Sequence, residues 1–247
     1  MSWVNNHTPP PAQDLRGYYG PEPYDVNFVF PLHLRTLESA RVRLTPFIPA
    51  QHAQAYLDAV TAHPSLERWT PLNHRTLDDV LRTIETWVRA DPGWVLLAIV
   101  DKPSGAFAGV IGLIKTSAPQ LTTEIGWVIV FPAFQRTYVA SNAVGVLLRY
   151  CLELPTAEPP GLGLRRVIWT ANPFNTQSAR TAQRMGFKLE GTLRWSWVLG
   201  EGKEGKKPRA GDPFEDRPGR DSVLLAFCGD DWEDGGRELV QKRIDRV

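Results

Sequence analysis

Apolar and polar residues alternate through Arg41-Val-Arg-Leu-Thr45, the pattern of a strand with one buried face. Past it, residues 48–62 and 76–90 carry apolar side chains at helical spacing. In the second stretch Val80, Ile84 and Trp87 share a face, and Thr76 with Asp79 has the spacing of a capping box. Strands are predicted at 94–100 and 106–116, with Asp101-Lys-Pro-Ser-Gly105 turning between them. A further strand is predicted at 121–130, a helix at 139–152 and a strand at 166–170. A helix starting at Asn175 ends before Gly186, because Asn caps helix starts and Gly suits the left-handed residue past a helix end. Strands at 188–199 and 221–227 and a short helix at 232–243 complete the pattern.

Two segments break it. Residues 1–37 form an arm in which Pro9-Pro-Pro11, Gly17, Gly20, Pro21 and Pro23 prevent regular structure, while Tyr18, Tyr19, Tyr24, Phe28 and Phe30 supply adhesive apolar surface. The arm either wraps the domain or a second subunit, which admits a homodimer, or is a disordered tail. The domain proper is expected over 38–247. Within it, residues 200–220 are rich in Gly, Pro and charge and read as a mobile surface insertion between two strands, with a lid as the alternative.

Two motifs carry chemistry. Residues 124–140 read as a strand running through a turn, Gln135-Arg-Thr137, into a helix opening near Val139. A helix start presents backbone N–H groups with no internal acceptor, so it can hold an anion; alone, the motif fits an ordinary βα crossover equally well. The second is the strand Arg165-Arg-Val-Ile-Trp-Thr170 followed by Ala171-Asn-Pro-Phe-Asn-Thr-Gln-Ser178, where Pro173 keeps Asn172 out of a helix.

Together these segments resemble the GCN5-related N-acetyltransferase (GNAT) superfamily, and more closely its ribosomal-protein N-terminal acetyltransferase (Rim-type) branch. The matching pieces are Glu124-Ile-Gly-Trp127, Gln135-Arg-Thr137 with Val139-Ala140, Arg166-Val167, Asn175-x-x-Ser178, Gly186-Phe187 and Glu190-Gly-Thr-Leu-Arg194, in the family's order and spacing from about residue 39 to 232. The resemblance implies an α+β fold: a central mixed, mostly antiparallel, twisted sheet with splayed middle strands and helices on both faces. It implies acetyl-CoA as acyl donor and an amine acceptor, either a peptide N-terminus or a small molecule. The backbone of Trp127, Val128, Ile129 and Val130 would hold the pantetheine amides as an added strand does. The N–H groups of Gln135, Arg136, Thr137, Tyr138, Val139 and Ala140 would hold the pyrophosphate. Asn175 would bond the pantetheine arm and Ser178 would pass a proton to the sulfur, though Asn175 also reads as a plain cap and Ser178 as a local backbone bond. Glu124 is the candidate base, working through water, and equally reads as a strand-end carboxylate. A backbone N–H near Val128 would polarise the acetyl carbonyl. The chain departs from the family at Tyr138, which stands where a glycine is expected in the turn; its ring is expected to alter the phosphate geometry or cover part of the cofactor. Trp69, Trp87, Trp195 and Trp197 fall where the resemblance puts the acceptor pocket.

Composition adds limits. The 247 residues are 43% hydrophobic, enough for one good core, and a net charge of +1 gives no broad electrostatic case for nucleic acid. No apolar run reaches membrane-spanning length and Met1-Ser-Trp-Val-Asn-Asn-His7 lacks a signal pattern, so a cytoplasmic protein without membrane contact is expected. Cys151 and Cys228 read as two buried thiols, and the five histidines show no metal-ligand spacing, so no metal is expected. Two further readings stay open: a GNAT-fold module that binds acyl-CoA or peptide without catalysis, and a GNAT scaffold used for another small-metabolite reaction.

Overall fold

The alternation at 41–45 becomes β1 (Val42–Pro46), with Val42 and Leu44 fully buried. The chain is described from a computed structural model covering residues 2–8 and 13–246, so the Pro9–Pro11 run lies outside the described residues. Pro49 opens α1 (Pro49–Ala62), where its missing N–H costs nothing. In α2 (Leu77–Thr83) the capping box forms as the spacing predicts: Asp79 N–H donates to Thr76 Oγ1 at 3.2 Å and Thr76 N–H to Asp79 Oδ2 at 2.8 Å. The helix then widens into a π-type stretch, Ile84–Arg89.

Seven strands follow the order β1-β2-β3-β4-β5-β7-β6, with β2 (Val95–Asp101), β3 (Phe107–Ser117), β4 (Thr122–Val130), β5 (Arg166–Ala171), β6 (Lys188–Val198) and β7 (Gly219–Cys228). Every neighbouring pair is antiparallel except β4 and β5, which are parallel. This is the mixed, mostly antiparallel sheet that the sequence implies. The two faces alternate along β2: Val95, Leu97 and Ile99 join the core under α3 (Val139–Leu152), whereas Leu96 packs with α1 and α2. Helix α3 is buried on nearly every side, and wholly buried residues such as Leu147 and Leu148 each contribute roughly 2 kcal/mol. Helix α4 (Thr176–Arg184) lies over β5 and β7 and buries little beyond Ala182. Gly186 follows it at φ +104, where a Cβ would sit 2.9 Å from the Phe227 ring, so the helix stops as predicted.

The middle of the sheet opens. Strands β4 and β5 pair at only three positions, Thr122↔Arg166, Thr123↔Val167 and Glu124↔Ile168. Just beyond, β4 bulges: Val110 pairs with Ile129 and Gly112 with Gly126, leaving Trp127 and Val128 opposite Ile111 alone. Trp127 takes φ +53 to do so. A bulge bends its strand and adds twist, which carries β4 away from β5.

The C-terminal helix begins later than its sequence pattern predicts. A single turn, α5 (Gly229–Asp231), leads to a kink where Gly235 adopts φ +81, and α6 spans Arg237–Asp245 against α3. Cys151 is buried, but Cys228, the last residue of β7, is only partly so, with Arg166 Nη1 3.8 Å from its sulfur. In the arm, Val26, Phe28, Phe30 and Leu32 lie against the core, Val29 N–H donates to Pro92 O at 2.9 Å and Tyr150 Oη donates to Pro31 O. The segment before β7 is tied across the molecule: Lys203 Nζ donates to Glu67 O at 2.8 Å and Arg68 pairs with Glu204 at 2.9 Å. No helix of the described residues is long and apolar enough to cross a membrane.

Candidate active site

The gap between β4 and β5 is a cavity of ≈ 110 Å³ that receives residues from both strands, from α4 and from β7. Glu124, Trp127, Val128, Asn175 and Ser178 all line it. Glu124 stands where the β4–β5 ladder ends and is buried. Thr170 Oγ1 donates to its Oε1 at 2.5 Å and Lys115 Nζ reaches its Oε2 at 2.9 Å. A carboxylate has about four acceptor positions, so two remain for water or substrate.

Asn175 caps α4: its Oδ1 accepts Ser178 N–H at 3.2 Å. Capping uses only the carbonyl side of the amide, which leaves two N–H donors for a ligand. Ser178 Oγ lies 3.0 Å from the indole Nε1 of the buried Trp169. An indole N–H only donates, so the serine oxygen must accept, and its own proton stays available.

Further along β4 and α4 lies a second, open groove of ≈ 950 Å³ lined by Val130, Gln135, Arg136, Thr137, Tyr138 and Ala140. The N–H groups of Arg136, Thr137 and Tyr138 meet no acceptor among the described residues. Val139 N–H is taken by Thr137 Oγ1 at 3.2 Å, and Gln135 is engaged with Pro132 O and Val130 O. Opposite the turn stand Arg180 and Arg184 of α4 and Arg243 and Arg246 of the C-terminal segment. With Arg136 they make five arginines on one groove and no acidic lining residue. Arg243 Nε donates to Arg184 O at 3.2 Å, which fixes its orientation. The groove therefore fits a multiply charged phosphate ligand.

Ile129 and Val139 have buried side chains, so a ligand could meet only backbone there, and the Val139 N–H is already taken by Thr137, unlike its expected part in the phosphate turn. Tyr138 needs no glycine: its φ is −69, and the left-handed residue of the turn is Arg136 at φ +62. The tyrosine ring lies under the Arg41 guanidinium, 4.2 Å from its centroid, and its hydroxyl donates to Asp101 at 2.5 Å. Burial pushes the Asp101 carboxyl up, but hydrogen bonds from Ser104 and Tyr138 outweigh it and hold the group below its ordinary range.

Trp69, Trp87 and Trp197 line the gap as the sequence reading has it, but Trp195 does not. Its ring covers Gly219, where a Cβ would sit 2.1 Å from it, and the side chain is exposed. Trp94, Trp127 and Trp169 join instead, so six of the nine tryptophans meet here. Arg220 of β7 also lines the gap. A polar cluster behind the bulge escaped the sequence altogether. Buried Glu67 takes the Tyr56 hydroxyl at 2.7 Å, the His74 N–H at 2.9 Å and the His74 ring at 2.5 Å, and the His74 ring stacks on Trp127 with planes 10° apart. Burial raises the Glu67 carboxyl, yet the bonds from His74 and Tyr56 leave it below the usual carboxylate value. Nothing in the local pattern marks these three residues as neighbours. A larger groove, ≈ 1170 Å³, runs between the end of α3 and α6, and none of the gap residues lines it.

Residues 41–188 match the Acetyltransferase (GNAT) domain family, and the chain belongs to it. It is an acetyltransferase of the GNAT type, a family whose acyl donor is acetyl-CoA. Among solved structures it is similar to a probable GNAT-family acetyltransferase from Chromobacterium violaceum, at 26% identity over 80% of this chain and 87% of that one, with a TM-score of 0.65. A GCN5-related N-acetyltransferase from Brucella melitensis shares the fold at 21% identity, covering 84% of each chain with a TM-score of 0.66. Mycobacterium smegmatis RimJ in complex with CoA-disulfide shares it at 19% identity, over 81% of this chain and 88% of that one, with a TM-score of 0.58. No curated protein matches the chain by sequence.

Proposed function

We propose that the chain transfers the acetyl group of acetyl-CoA to a primary amine, and that it sits with the Rim-type branch of the family. One observation carries the reading: the β4–β5 ladder stops at Glu124, and beyond the end of β4 lies a turn edged by arginines. The likeness to RimJ and the Glu190-Gly-Thr-Leu-Arg194 sequence on β6 support the branch.

The residues present fit the donor. The free edge of β4 from Trp127 to Val130 suits the amides of a pantetheine arm, with the Asn175 amide N–H groups facing the same gap. The unpaired N–H groups from Arg136 to Tyr138 suit the pyrophosphate, with arginines on the opposite wall. Acetyl-CoA supplies an activated acyl carbon, whose bond to sulfur is exchanged for one to the amine nitrogen. Glu124, held by Thr170 and Lys115, takes the amine proton through water. The Val128 N–H, on the bulge of β4, would polarise the acetyl carbonyl of a bound donor. Ser178, its oxygen occupied by Trp169, holds its proton toward the sulfur. One proton leaves the nitrogen and one reaches the sulfur, so charge balances.

Calorimetry with acetyl-CoA and thiol release against amines and peptides test this. Micromolar binding and acceptor-dependent release are expected. Absence of acetyl-CoA binding overturns the reading.

A further inference from the structure

We infer that the acceptor is a small amine that also bears a carboxylate and an apolar or aromatic body, an amino acid in size and charge, with Arg220 engaging the carboxylate. The inference rests on the amine acetylation proposed above and specifies its acceptor.

Arg220 is an uncommon wall residue. It is 7% exposed and lines the gap. Its Nη1 donates to Trp69 O at 3.0 Å and its Nη2 to Ser222 Oγ at 2.8 Å, both neutral acceptors. Its buried Nε has no partner, and among the described residues no carboxylate forms an ion pair with it. Removing a guanidinium from water without a counter-charge is costly, and a bound anion offsets that cost. Glu124, the acid of the gap, acts on Arg220 through space but makes no ion pair with it, because its ion pair is with Lys115. Lys115, half-exposed and outside the gap lining, offsets Glu124, so the Arg220 guanidinium is the lining charge left without an ion-pair partner.

The aromatic walls point the same way. Indole faces ordinarily attract cations. Here Lys115 and Arg220 already lie over Trp197, at 5.0 and 5.8 Å from its centroid, and Arg68 lies over Trp69 at 4.4 Å. A polycationic acceptor would meet the protein's own cations at those rings. An apolar or flat body between tryptophans, with its anion at Arg220, meets none. A cavity of ≈ 110 Å³ admits one side-chain-sized group. A peptide N-terminus presents a neutral amide where an amino acid presents a carboxylate, so it leaves Arg220 unmatched.

The test uses the full-length protein saturated with acetyl-CoA and follows thiol release and acetylated product. Acceptors are phenylalanine, tryptophan, leucine and methionine, with phenylalaninamide, phenethylamine, a Phe-initiated tetrapeptide and spermidine as comparisons. Phenylalanine is expected to exceed its amide and its decarboxylated analogue in kcat/KM by about tenfold or more, mostly through KM. Arg220→Gln is expected to erase that ratio and Arg220→Lys to keep part of it, with thermal melting and acetyl-CoA affinity measured on each variant to show that it is folded. Equal or better use of the amide, the amine or the peptide by the wild type overturns the inference, as does an unchanged ratio in a folded Arg220→Gln variant. Acetylation of spermidine or peptide with none of any amino acid overturns it while leaving the proposed acetyl transfer intact; loss of acetyl-CoA binding by the wild type removes both.

Discussion

The indole N–H of Trp169 donates to the Oγ of Ser178 across 3.0 Å, joining β5 to the first turn of α4. This bond sets the direction of the serine proton, since the oxygen is the acceptor. Ser178→Ala is expected to lower kcat about 10²-fold, the scale of a lost proton donor, with acetyl-CoA affinity little changed. Trp169→Phe, which leaves the hydroxyl free to turn, is expected to lower kcat less. Pre-steady-state thiol release on both variants checks this, and an unaltered kcat in Ser178→Ala removes the serine from the proton path.

Asn175 caps α4, and on the proposed reading the same amide also holds the donor; substitution separates the two tasks. Asn175→Ala is expected to lose about 1 kcal/mol of stability with the cap, and to weaken acetyl-CoA binding. Asn175→Asp keeps the cap but has no N–H donors, so stability is retained and binding still weakens. Urea melts paired with calorimetry distinguish the two; normal affinity in the aspartate variant confines Asn175 to capping.

At Arg136 backbone and ligand have opposite preferences. The residue holds φ +62, which Gly adopts without strain. Arg136→Gly is expected to leave stability within about 1 kcal/mol of wild type, because relief of strain and added chain entropy in the unfolded state oppose each other. Acetyl-CoA affinity is expected to fall about threefold to tenfold, and its dependence on salt to become shallower. An affinity equal to wild type at low salt would show that the side chain stays in solvent.

The Glu67 cluster gives the fold a pH dependence whose sign is fixed. Its carboxyl is held below the ordinary glutamate value of 4.5 in the folded protein. That stabilisation is present above the unfolded value and is lost as pH falls through the folded one. Glu67→Ala is expected to cost about 3 kcal/mol at neutral pH, and the part of that loss that comes from the depressed carboxyl is expected to vanish under acid. Urea midpoints between neutral pH and pH 3.5 for both proteins check this; parallel curves would exclude the cluster as a source of acid sensitivity.

Much of the scaffold was legible because it depends on neighbours in sequence. The Thr76 and Asp79 box, the stop at Gly186 and the strand–turn–helix around Gln135 are each settled within a few residues. The C-terminal helix was placed too early because its apolar spacing runs through Gly235, whose positive φ interrupts it. The acceptor side was mostly illegible. Arg220 and Trp69 meet across 151 positions, and Tyr56, Glu67 and His74 reach Trp127 from two separate segments. The bulge itself falls on a tryptophan, a residue type that gives no hint of a left-handed conformation. Of the five groove arginines only Arg136 falls in the turn motif; Arg180 and Arg184 come from α4, and Arg243 and Arg246 arrive from the last helix and its end.

Lys203 and Glu204 clasp the loop that carries Trp69, far from the arginine-edged turn. On the proposed reading, donor grip and acceptor choice reside in separable parts of one chain. Exchanging the segment before β7 offers a way to retarget the enzyme toward new amines while its hold on the nucleotide end stays as it is.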